Sequence, residues 1–229
     1  MKNNLLKPVL RYRGLLWRNE LDRMLTASVL FSVAMIMVRI LYTGRYTFLF
    51  LVWNLFLAYL PYLLTNWLQQ RPGLIRNKWK FMALFGVWLL FIPNSFYIIT
   101  DLFHLANYYT IPVWFDLALI LSFAWNGLLL GILSVRQMEK MVQWWLPANS
   151  GWLFIYPIMW LNAFGMYIGR YLRFNSWDVV TNPFQLLADI SSLLLHPVQN
   201  KFAWSMVCCF SILMTLIYGT LKKISKAIH

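Results

Sequence analysis

Residues 113–135 read VWFDLALILSFAWNGLLLGILSV. A bilayer core about 30 Å thick is crossed by ~20 consecutive, mainly apolar helical residues, and this stretch meets that length. Five more do so: Met24–Tyr42, Tyr46–Trp67, Phe81–Thr100, Trp152–Leu172 and Phe202–Leu221. The first is the weakest, because Arg39 lies inside it. The 229-residue chain is 61% hydrophobic and only 12% charged, with a mean hydropathy of +0.59, whereas soluble domains are ~45–50% apolar and ~25% charged. The expected fold is therefore an all-α integral membrane bundle of six transmembrane helices. It is read as a six-helix domain over 24–221, between a basic N-terminal segment (1–23) and a basic tail (222–229). The apolar stretch Phe184–Leu195 is too short for a seventh span and contains Asp189, so it reads as an interfacial or re-entrant helix.

The net charge of +13 does not point to nucleic acid, because no soluble stretch is long enough to carry a basic face. Lysine and arginine favour the cytoplasmic side of a membrane. They cluster in the N-terminal segment (Lys2, Lys7, Arg11, Arg13, Arg18, Arg23), the second–third loop (Arg71, Arg76, Lys78, Lys80), the fourth–fifth loop (Arg136, Lys140) and the tail (Lys222, Lys223, Lys226). Both termini are expected in the cytoplasm, with the N-terminal segment lying on anionic headgroups. That segment lacks the short apolar core and small-residue cleavage site of a signal peptide. The vicinal pair Cys208–Cys209 cannot close an ordinary disulfide and reads as small apolar filler.

Asp101, Asp116, Asp178 and Asp189, with His104 and His196, sort to the opposite face, while Glu20, Asp22 and Glu139 stay on the cytoplasmic side. In PNSFYIITDLFHL (93–105), Asn94, Tyr97, Asp101 and His104 fall within about 80° of one another on an α-helix restarting after Pro93. An aspartate one turn from a histidine can orient it and stabilise its charge, as general acid–base chemistry requires. The bland alternative ends the third helix near Thr100 and leaves Asp101 to begin a solvated loop. In GRYLRFNSWD (169–178), Arg170 and Arg173 share a helix face against the positive-inside trend. Guanidinium forks suit a phosphate or a carboxylate, or a local aspartate in a structural ion pair. Asn175, Ser176 and Asp178 follow in a turn-prone run, and Trp177 suits the membrane interface. Asp116 is either part of this site or an N-terminal acid favoured by the helix dipole, with Arg39 or Arg45 as its counter-charge. Asn126 reads as an interhelical hydrogen bond. Gly127/Gly131 and Gly165/Gly169 are spaced for close helix approach, within the chain between the fourth and fifth helices or in a homo-oligomer.

No cysteine–histidine cluster has zinc spacing, and no GxSxG or phosphate-cradling glycine loop occurs. No metal or other cofactor is expected.

Pro93, Asn94, Tyr97, Thr100, Asp101, Leu102, His104 and Leu105, followed by Gly169, Arg170, Arg173, Asn175, Ser176, Trp177 and Asp178, resemble the two motif blocks of the domain of unknown function 1361 family. The resemblance spans roughly 25–221. It implies a bacterial polytopic protein of the plasma membrane and supplies no mechanism.

Three function classes fit these residues. One is a membrane-embedded enzyme acting on a lipid or lipid-linked anionic substrate, with Asp101 and His104 catalytic. Asn94, Tyr97, Asp116, Arg170, Arg173, Asn175, Trp177 and Asp178 would then bind substrate. The second is a non-catalytic scaffold or partner subunit in envelope assembly, and the third a small transporter or flippase-like protein. Membrane lipids are the expected partners in each.

Overall fold

The computed structural model describes residues 20–107, 111–145 and 151–227. The basic segment 1–23 falls almost wholly outside them. Among the described residues every regular element is helical: α1 (Glu20–Thr43), α2 (Phe50–Gln69), α3 (Pro72–Arg76), α4 (Lys78–Tyr97) continued by a 3-10 segment (Ile98–Asn107), α5 (Val113–Val142), α6 (Gly151–Tyr167) continued by a π-helical turn (Ile168–Leu172), α7 (Asp178–Thr181), α8 (Pro183–Leu195) and α9 (Lys201–Ala227). Six of these stretches are long and apolar enough to cross a membrane: Glu20–Thr43, Phe50–Gln69, Lys78–Leu105, Val113–Val142, Gly151–Leu172 and Lys201–Ser225. They correspond one for one to the six expected spans. The third runs past its expected end at Thr100, so Asp101 and His104 are helical and do not begin a loop.

The contacts group the chain into two compact units, Met1–Met141 and Val142–His229. The first holds the spans α1, α2, α4 and α5. Glu20 and Asp22 open α1, where negative charge complements the helix dipole. Asn77 caps α4 by accepting from the Lys80 amide at 3.2 Å, and Pro72 opens α3, where its missing N–H costs nothing. The core joins Ile36 of α1, Leu51 and Leu55 of α2, Ile98, and Leu119, Ile120 and Phe123 of α5. Near the opposite ends of these helices a polar network ties three spans together. Trp88 donates to Ser134 at 2.8 Å, the Thr65 hydroxyl donates to Gln137 at 2.6 Å, and the Gln137 amide donates to Asn66 at 2.7 Å. Asn126 makes the interhelical bond expected of it, donating to Ser32 of α1 at 3.0 Å.

Gly127 and Gly131 let α5 approach the third span. A Cβ on Gly127 would meet Ile98 Cγ2 at 2.5 Å and the Ser95 carbonyl oxygen at 3.0 Å; one on Gly131 would meet Ser95 Cβ at 2.9 Å. That glycine face is thus filled by the third span. Gly127→Ala is expected to destabilise by about 1–3 kcal/mol, the usual cost of overpacking. Thermal unfolding in detergent measures this, and an unchanged midpoint contradicts the packing.

In the second unit α6 and α9 pack through stacked rings. Trp204 lies 5.8 Å from Trp160 and 5.9 Å from Phe164, and it donates its indole N–H to the Leu193 carbonyl at 3.2 Å. That bond ties α9 to α8. Cys208 and Cys209 are free and exposed on α9, so the small apolar pair lies on the helix surface.

Candidate functional site

Both motif blocks fall where a span leaves α-helical geometry. The first block stays α-helical through Pro93, where a helix restart was expected, and tightens into 3-10 geometry at Ile98. Ten residues of 3-10 helix is long, since runs beyond three or four are uncommon and mid-helix ones often mark functional hinges. With three residues per turn and a rise of about 2.0 Å, residues three apart eclipse. Asp101 and His104 therefore stand one above the other, about 6 Å apart along the axis. The same tightening swings them away from Tyr97, so the expected four-residue stripe is split. Asn94 turns its amide back to the Phe91 carbonyl at 3.0 Å, and the Tyr97 carbonyl accepts from the Thr100 hydroxyl at 2.6 Å.

Asp101 is fully buried. Its Oδ2 accepts a hydrogen bond from Nδ2 of Asn54 at 2.8 Å. His104 is half-buried and meets Phe50 edge-on, with ring centroids 5.1 Å apart. Phe50 and Asn54 are one α-helical turn apart on α2, so antiparallel α2 presents one partner to each member of the pair. A buried carboxylate demands hydrogen-bond donors; Asn54 supplies one and fixes the orientation of the acid. Asn54 is the partner of Asp101 that the sequence does not point to. Its signal was an amide in the second apolar run, which on its own is an ordinary interhelical hydrogen bond.

Asp116 resolves differently. Arg39 Nε donates to its Oδ1 at 2.8 Å and Nη2 to its Oδ2 at 3.1 Å, while Nη1 donates to Thr47 at 2.6 Å. Both side chains are only 2% exposed. The guanidinium also lies over the Phe48 ring, 4.3 Å from its centroid, and Phe48 in turn packs against Phe50 at 6.0 Å. Arg39, and not Arg45, is the counter-charge. Both carboxylate oxygens are held by it, which fixes α1 to α5 beside the Asp101–His104 pair.

The second block lies in the other unit. Gly169 and Arg170 belong to the π-helical turn, and Arg173 ends it in the left-handed conformation at φ 61°. π-turns inside helices are frequent at functional sites, and a left-handed non-glycine residue carries about 1–2 kcal/mol of strain. Arg173→Gly is expected to raise stability by about 1 kcal/mol while removing the charge. A higher midpoint of thermal unfolding checks this, and a lower one shows that the arginine side chain outweighs its backbone. The Asn175 amide N–H donates to Asp178 Oδ2 at 2.6 Å, the Thr181 hydroxyl donates to Oδ1 at 2.8 Å, and the Asp178 amide returns a bond to the Asn175 carbonyl at 3.0 Å. Asp178 thus closes its own turn in a reciprocal cap. The Asn175 N–H, with the Thr181 hydroxyl, holds its carboxyl below the ordinary aspartate range. A depressed pKa stabilises the turn above the unfolded-state value, and that stability is lost as pH falls through the folded value. Carboxyl NMR is expected to show Asp178 titrating below a reference aspartate, and an ordinary value contradicts the cap. Trp177 is exposed beside this turn. No group of three or more His, Cys, Asp or Glu gathers in metal-binding range among the described residues.

Six apolar spans, with an acid–histidine pair at the tightened end of one and two arginines at the loosened end of another, define an all-α multi-pass membrane protein. Residues 53–217 match the family described as "Protein of unknown function (DUF1361)". The chain belongs to that family. The match takes in both motif blocks and Asn54 and begins after α1, so it is narrower than the expected 25–221. No curated protein and no solved structure matches the chain.

Proposed function

We propose that this is a membrane-embedded enzyme acting on a lipid or lipid-linked anionic substrate at the extracytoplasmic side of a bacterial plasma membrane. The observation that carries the reading is the buried Asp101, held by Asn54 and eclipsed with His104. Ionisable residues at membrane depth are costly and mark functional sites. Asp101 fixes and charge-stabilises His104, which moves the proton as general acid or base. Arg170 and Arg173, in the second unit, carry guanidinium forks of the kind that hold a phosphate or a carboxylate. Six crossings with cytoplasmic termini put the ends of the third and fifth spans on the outer side, and the lysine and arginine distribution supports that orientation.

A scaffold or partner subunit in envelope assembly is the second reading, favoured by the Arg39–Asp116 pair, which needs no ligand to explain it. Abundance-matched His104→Ala and Arg170→Ala variants separate the two. An enzyme loses function with its amount in the membrane unchanged. A scaffold keeps function, or loses it only as abundance falls.

A further inference from the structure

The second unit carries a surface that the proposed chemistry does not use. Helix α8 has three faces. At about 100° per residue, Phe184, Leu187, Leu194 and Leu195 fall on one side, and they are 85%, 60%, 53% and 74% exposed. Gln185, Ser192 and His196 form a second, polar side and are exposed. Leu186, Ile190 and Leu193 form the third and turn inward, with Leu193 buried. A helix with separate apolar, polar and protein-packed faces belongs at the membrane surface, where lipid, water and protein meet. Val198 and Lys201 come directly after α8 in the chain, and this placement of α8 sets them at headgroup height.

From there a shallow, wide-open groove runs along α9, lined by Val198, Lys201, Trp204, Ser205, Cys208 and Cys209. Lys201, Trp204, Ser205 and Cys208 recur at helical i, i+3, i+4, i+7 spacing, so they form one continuous stripe. Lys201 to Cys209 spans about 12 Å of helix axis at about 1.5 Å per residue. The groove is cationic where headgroups lie and apolar beneath, where acyl chains lie. Its lower end is floored by two small thiols that leave room beside the bulky Trp204.

We propose that this groove seats one anionic phospholipid, its phosphate on Lys201 and an acyl chain along Trp204, Cys208 and Cys209. The inference goes beyond the Asp101–His104 chemistry and stands or falls without it. The only cysteines in the chain are the two in the groove, so alkylation by N-ethylmaleimide reports on it alone. The full chain is reconstituted in phosphatidylcholine vesicles and in equal mixtures of phosphatidylcholine with phosphatidylglycerol. The anionic lipid is expected to slow alkylation on the order of fivefold, the preference one lysine confers at a membrane surface. Lys201→Gln is expected to abolish the difference and Lys201→Arg to retain it. Equal rates in both vesicles, or a slowing that persists in Lys201→Gln and therefore comes from bulk surface charge, would overturn the proposal.

Discussion

Arg39→Met is expected to lower stability by about 3–5 kcal/mol, because it strands the Asp116 carboxylate in a site 2% exposed. The loss is that of an uncompensated buried charge, and it is larger than the net value of the pair itself. Three of the arginine's donors are committed, two to Asp116 and one to Thr47, so lysine cannot replace it. The double variant Arg39→Met/Asp116→Leu removes both charges and is expected to recover most of the loss, since hydrophobic replacement of a buried pair is often neutral. Thermal unfolding of the purified protein and its abundance in membranes both measure this. If the double variant is as unstable as Arg39→Met, the buried-charge account is wrong.

The second large effect is on the proposed activity. Asp101→Asn keeps the size and shape of the side chain and still offers Asn54 an oxygen to donate to, so the fold is expected to hold. What disappears is the negative charge beside His104. General acid–base groups contribute about 10²–10⁴-fold, and a histidine without its carboxylate loses most of that. His104→Ala is expected to do the same damage. The double variant is expected to be little worse than either single one, because the two act as one unit.

The six spans follow from apolar run length, which depends on local composition alone; the far ends of the third and the fourth run past expectation, to Leu105 where Thr100 was expected and to Val142 where Val135 was. The two motif blocks are legible as polar residues at the ends of spans. What the sequence leaves open depends on contacts between distant segments. Arg39 and Asp116 lie 77 residues apart, and Arg45 is an equal candidate until α1 and α5 are placed side by side. The 3-10 continuation of α4 overrides the α-helical spacing that puts Asn94, Tyr97, Asp101 and His104 on one stripe. Pro93, the obvious breaker, sits inside an intact helix, and the change of geometry comes at Ile98, where Gly127 presses against it. Asn175 and Asp178 group with the ligand residues in the sequence because a turn cap and a binding residue draw on the same short polar side chains.

The proposed chemistry puts a lipid-borne substrate on the Asp101–His104 pair. It is tested most directly by comparing, by mass spectrometry, the lipids of membranes that contain equal amounts of the wild-type protein, His104→Ala or Asp101→Asn, or none of the protein. Both variants are expected to reproduce the lipid profile of membranes lacking the protein, with the same species accumulating. Variants that reproduce the wild-type profile, when removal of the protein alters it, would contradict an enzyme and leave a scaffold.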